Sequence, residues 1–220
     1  MIDRTAAEQA IGALFAQYKS QVTAADQAVM QALSDGKLYE LFVLAEVVRE
    51  LDARGCRLTF QGATLKFKAG PGMLKTSDPH FLVQIPSGHT LWLFVDIEFN
   101  TLGHQLTAAT DLSRRHEVDI MLVQKNAGYP NHDDIWLAVE CKAVANFGKD
   151  LAKEVLGVRR ELSMLTGSQP SKLTQYGGHP PIDVPANPPS EFWLAHIDTK
   201  GSNYAQSPAA FGIDLRHLDP

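Results

Sequence analysis

The chain has 220 residues, 45% of them hydrophobic and 20% charged, with a formal net charge of -5. This composition fits a single soluble globular domain with a real core. The two cysteines, Cys56 and Cys141, make no disulfide framework and fit a reducing cytoplasm, and neither a membrane span nor a secretory leader is legible.

The acidic total argues against a nucleic-acid partner, but charge distribution matters more than the sum. Residues 57–80 hold Arg57, Lys66, Lys68 and Lys75 against Asp78 alone. Residues 142–172 hold Lys142, Lys149, Lys153, Arg159, Arg160 and Lys172 against Asp150, Glu154 and Glu161. Each block is net +3, which gives either a basic face or scattered solvated lysines.

Residues 5–33 read as helix, opened by the capping-box pattern Thr5-Ala6-Ala7-Glu8. Thr23-Ala24-Ala25-Asp26 is a second start, so the stretch reads as one helix or two. Residues 1–35 are thus expected to form an N-terminal helical arm ahead of a compact domain over 36–220. Residues 37–53 form a second helix with a wet stripe of Glu46, Arg49 and Glu50. Glu40 lies off that stripe, aligned with Leu44, Val47 and Leu51. An acid there needs a partner, either a Lys or Arg near the helix start or a metal.

Arg57–Phe60 and Thr64–Phe67 read as a hairpin around Gly62. The loop Gly70-Pro71-Gly72-Met73-Leu74-Lys75-Thr76 fails the spacing of a phosphate loop. His80–Pro86 and Leu91–Phe99 are strands. The second carries Asp96 and Glu98, read as solvent-facing positions of an outer strand, with membership of an acidic cluster as the alternative. Residues 100–113 read as irregular.

Two apolar strands then carry charge where a core strand should not: Glu117-Val118-Asp119-Ile120-Met121-Leu122-Val123 and Leu137-Ala138-Val139-Glu140-Cys141-Lys142-Ala143. The turn residues between them, 126–134, predict an antiparallel hairpin. Alternation puts Glu140 and Lys142 on one face and Cys141 on the other. Residues 146–165 form the clearest amphipathic helix. Gly167–Ser190, with six prolines and three glycines, reads as a long structureless loop of the kind used as a flap or interface. Glu191–Asp198 is a strand, and a weak one lies around Ala210–Leu215.

In its residues and order of elements, the segment from about Lys37 to Asp198 resembles the PD-(D/E)xK nucleases, the restriction-endonuclease-like superfamily. The resemblance rests on Asp119, on Glu140-Cys141-Lys142, and on the helix acid Glu40. Val118 stands where the motif has its proline, and Glu154 where many members carry a glutamine. The resemblance implies an α/β fold with a restriction-endonuclease-like core, a mixed central β-sheet flanked by helices. It also implies a metal-dependent endonuclease using Mg2+ or Mn2+ on phosphodiester bonds, DNA before RNA, of restriction or anti-phage effector type.

In that reading Asp119, Glu140, the Cys141 backbone carbonyl and Glu40 bind metal, which suits a hard cation's preference for oxygen. Lys142 orients or deprotonates the attacking water, with its pKa lowered by burial and the cation. Lys66, Lys68, Lys75, Lys149, Lys153 and Arg160 are candidate phosphate contacts. The alternatives are a non-catalytic module of the same fold, or a nuclease subunit assembled as a homo-oligomer or by a separate sensor protein or second messenger. An ordinary buried ion pair would be a costly use of these residues. Zinc and cysteine-nucleophile chemistry lack their motifs.

Overall fold

A computed structural model of the chain describes residues 2–19, 21–68, 70–169, 182–187 and 190–220. The protein is α/β: a seven-stranded mixed open sheet flanked by helices. The sheet order is β1 (Arg57–Gln61), β2 (His80–Gln84), β3 (Thr90–Asn100), β4 (Arg115–Val123), β5 (Ile135–Lys142), β8 (Glu191–His196) and β9 (Ile213–His217). The first five strands run antiparallel to their neighbours, and β8 and β9 add on parallel to β5. Parallel neighbours need a crossover, and the helix α5 (Lys149–Glu161) lies in the connection from β5 to β8.

Two apolar layers sandwich the sheet. On one face Ile120, Leu122, Leu137 and Val139 pack with the helices α1 (Arg4–Tyr18) and α3 (Asp35–Ala53). On the other, Met121, Val123 and Ala138 pack with Val155 and Leu162, on and just after α5. Alternate residues of β4 and β5 therefore enter different cores, as pleated strands require.

The helical region before residue 34 is two helices, α1 and α2 (Ala24–Ala32). Asp3, not Thr5, caps α1, accepting from the Ala6 amide at 3.0 Å. Thr23 and Asp26 close a reciprocal capping box on α2. Ala7, Ile11, Leu14 and Phe15 recur at helical spacing and are buried in the same core as α3. Ser34 caps α3, its hydroxyl accepting from the Lys37 amide.

Several sequence expectations are corrected. Residues 64–67 do not pair with β1, whose partner is β2, in register from Arg57↔Gln84 to Gln61↔His80. The intervening segment is held by the helices instead: the Leu65 amide donates to Asp26 and the Ala63 carbonyl accepts from Lys19. Strand β3 is interior, between β2 and β4, and not an outer strand. Residues 100–113 contain the helix α4 (Leu102–Thr107), capped by Thr101, and a 3-10 turn.

Helix α5 is shorter than 146–165. Its start is delayed because the Phe147 amide is tied to Asp198 at 2.9 Å. Its last turn tightens where the Leu162 amide donates to Arg159 and Arg160. The stretch 167–190 is not wholly structureless: β6 (Met164–Gln169) pairs antiparallel with β7 (Ile182–Asn187). The rest of the flap reading falls on 170–181, 188 and 189, outside the described residues. Among the described residues, no helix is long and apolar enough to cross a membrane.

Candidate metal centre

The centre lies where β4 and β5 part. Their pairing ends at Ile120↔Val139, although both strands continue. Beyond that point Asp119 Oδ2 takes the Cys141 amide at 2.7 Å, where a ladder carbonyl would otherwise stand. Successive peptide groups of a strand point to opposite edges. The Lys142 carbonyl accepts from Ile197 on the β8 side, so the Cys141 carbonyl faces the β4 side with Asp119. The Cys141 side chain packs against the α3 core.

Across β4, the register with β3 runs Val95↔Ile120 and then Ile97↔Val118, leaving Asp96 and Asp119 opposite one another and unpaired. Asp96 has a φ of 54°. A side chain in the left-handed region costs on the order of 1 kcal/mol, and Asp tolerates it better than most. The kink also changes which core each strand feeds. Val95 and Ile97 enter opposite cores, as do Ile120 and Val118.

The glycine-rich stretch that fails as a phosphate loop holds this kink in place. The Gly72 amide donates to the Asp96 carbonyl at 3.1 Å, and the Glu98 amide donates to the Gly72 carbonyl at 3.0 Å. Asp96 is consequently buried rather than solvent-facing, while Glu98 is half-buried on β3.

Helix α3 brings Glu40 to the same place. Glu40, Asp96 and Asp119 each offer a carboxylate oxygen, all within 4.8 Å of one another. Lys37 Nζ lies 2.6 Å from both Glu40 Oε2 and Asp96 Oδ1. The helix-start partner foreseen for Glu40 is therefore present, together with two further acids. On the β5 side Glu140 is 7% exposed. Lys142 Nζ lies 3.3 Å from Glu140 and 3.0 Å from Glu154. Glu154 thus anchors the lysine from α5. A cavity of about 540 Å³ joins Glu40, Asp119, Glu140, Cys141 and Lys142, with His116 and Glu117 of β4 and Glu154, Gly157 and Val158 of α5 on its walls.

Burial is the first cause of every carboxyl shift here. It raises Glu40 to about 7, with Asp119 adding to the rise and Lys37 opposing it. Burial and the Asp119 charge raise Glu140, against the pull of Lys142. Burial raises Asp119 too, against the Cys141 amide and Lys142. Burial pushes the Lys142 ammonium down, but Glu140 and Glu154 outweigh it and the net shift is upward. In the absence of an ion, two carboxylates keep that proton on; the expected lowering concerns the metal-bound centre. The site is short of positive charge, and its donors are all oxygen, which fits a hard divalent cation such as Mg2+ or Mn2+.

The predicted basic contacts divide. Lys66 and Lys68 line a small recess beside Lys37, Glu40 and Asp96; Lys68 also donates to the Met73 carbonyl and stands 3.6 Å from Asp78. Lys75 is exposed in the 70–79 loop. Lys149 and Lys153 line a separate groove with residues 202–208. They share a helix stripe with exposed Arg160, roughly 120° round α5 from Glu154, Gly157 and Val158 at 100° per residue. Lys37 is the helix-start partner foreseen for Glu40, whereas its second partner, the buried Asp96, was expected to face solvent. Asp96 carried the same signal as Asp119, an acid inside an apolar strand, and Lys37 stands one helical turn before Glu40. Comparison of the chain with protein-family models, with curated proteins and with solved structures returns no match.

Proposed function

We propose that the protein is a metal-dependent nuclease of PD-(D/E)xK type that hydrolyses phosphodiester bonds, in DNA before RNA, as a restriction-like or anti-phage effector. One observation carries this reading: Asp119, Glu140, Lys142 and Glu40, from three elements, open onto one cavity where β4 and β5 separate. Unrelated surface acids do not converge on a buried strand junction beside a lysine, because that arrangement is costly to fold.

A Mg2+ or Mn2+ ion held by Asp119, Glu140 and the Cys141 carbonyl would supply Lewis acidity to the phosphate and lower the pKa of an attacking water. Lys142, beside Glu140 and Glu154, would orient or deprotonate that water and offset charge on the phosphoryl oxygens. Lys66, in the recess beside the acidic centre, would meet the substrate backbone on one side, and Lys68 would do so on release from the Met73 carbonyl and Asp78.

A second reading is a subunit that cuts only when assembled with another copy or a sensor protein. Leu112 is fully exposed and Leu106 is 58% exposed. Both lie on the stretch that leads into β4, whose His116 and Glu117 wall the cavity. The test is incubation of supercoiled plasmid, linear DNA and RNA with the protein and Mg2+ or Mn2+, with chelator and Lys142→Ala controls. Metal-dependent cutting lost in the variant supports the reading. Absence of cutting on every substrate, with candidate partners included, sinks the enzyme.

A further inference from the structure

We propose that Lys37 is a built-in second cation of this centre: its ammonium sits between Glu40 and Asp96 where a second divalent ion would sit, and the protein therefore takes one metal ion instead of two. The inference rests on the metal reading above and deepens it.

Three observations support it. First, three acids converge there: the Glu40, Asp96 and Asp119 oxygens fall within 4.8 Å of one another, somewhat wider than the roughly 3–4 Å of an octahedral shell with oxygens about 2.1 Å from the metal. Second, that place is already filled by charge. Nζ is 2.6 Å from an oxygen of each of two acids, closer than the 3.3 and 3.0 Å at which Lys142 stands from Glu140 and Glu154. Third, the lysine is held there. It stands in the first turn of α3 with its amide bonded to the Ser34 cap, one turn below Glu40, and Asp96 is turned toward it by a backbone kink that Gly72 fixes from outside.

Asp119 is near both the Lys37 group and Glu140. In two-metal sites a shared carboxylate lies between the ions, and Asp119 would play that part between Lys37 and the single ion. Here the partner of the single ion is organic and permanent. The centre would then keep a fixed positive charge beside the phosphate whatever the metal concentration.

The experiment is equilibrium dialysis of the folded protein against Mn2+ at pH 8, with metal and protein quantified by mass spectrometry. Wild type should hold one Mn2+ per chain, Lys37→Arg one, and Lys37→Met two. Two ions in wild type, or one ion in a natively folded Lys37→Met, overturns the assignment of Lys37 while leaving the metal centre standing. No ion in any form overturns the metal centre itself and the assignment with it. Should Lys37→Met fail to fold, anomalous diffraction from Mn2+-soaked wild-type crystals decides. A single peak beside Asp119 and Glu140, with Lys37 still between Glu40 and Asp96, upholds the proposal. A peak between Glu40 and Asp96 overturns it.

Discussion

Asp26, buried, and Glu40, half-buried at the strand junction, behave in opposite ways. Asp26 is fully buried, and its two oxygens receive Lys19 Nζ at 2.8 and 2.9 Å, the Thr23 amide and hydroxyl, and the Leu65 amide. Burial alone would raise its pKa, but these donors outweigh it and hold the carboxyl down at about 2. Glu40 has one ammonium, shared with Asp96, and faces further carboxylates, and it rises to about 7. Donors aimed at the carboxyl go with the lowered value, and burial beside like charges goes with the raised one. The same fold that satisfies Asp26 so completely leaves the junction short of positive charge, as the proposed metal centre would require.

The largest expected effect is on chemistry. Lys142→Ala should lower metal-dependent cleavage by about 10²–10⁴-fold, the range for losing one positioned acid, base or donor group, with an unchanged circular dichroism spectrum. A variant that cuts normally would put Lys142 among the structural residues with Lys19.

Next is Asp26→Ala. It strands Lys19, whose side chain is 9% exposed, and opens the α2 cap, for a loss of about 3–5 kcal/mol in chemical denaturation. Metal affinity of the folded fraction should not change. A loss of Mn2+ binding there would erase the distinction between the two acid groups.

Glu40→Gln should do the reverse. It keeps an oxygen for Lys37 and removes a charge that Lys37, shared with Asp96, offsets only in part, so it should stabilise the chelated protein at pH 8 by roughly 1–3 kcal/mol. It should also shrink the thermal upshift that Mg2+ gives wild type. A destabilised chelated variant would mean that Glu40 is satisfied as Asp26 is.

The smallest effect is the pH profile of ion-free stability. Asp26, lowered from 3.8, contributes stability that is present above that value and lost as pH falls through about 2. Glu40, raised from 4.5, contributes stability that is present below that value and lost as pH rises through about 7. The melting temperature in chelator should therefore fall between pH 5 and 8, by about 2–4 °C per kcal/mol, and Mg2+ should recover most of it at pH 8 but little at pH 5. A profile flat from pH 5 to 8 without metal would show that the junction acids are compensated after all.

Much of the site was legible because its signals are local. Asp119, Glu140 and Lys142 interrupt apolar strands, and Glu40 sits off the wet stripe of its helix. Each is a departure from period 2 or period 3.6 that one stretch of sequence displays. Asp96 carried the same departure and was still misread, because an outer and an interior strand look alike until their neighbours are known. Residues 64–67 have strand-like letters, yet their backbone groups serve Asp26 and Lys19. That competition across some forty residues has no local trace.

What the sequence alone determined is the class of the chain and its unusual residues: an α/β alternation, two helices before residue 34 as one of two readings, and four charges placed against the apolar pattern. Burial makes such exceptions expensive, so they stand out in a single strand or helix. Only the tertiary structure decided that β4 and β5 part beyond Ile120 and Val139, that Gly72 stitches a left-handed Asp96 into the gap, and that Lys37 fills the space between two acids. These depend on which groups meet across long chain separations. The balance of charge at the junction exists only after they have met.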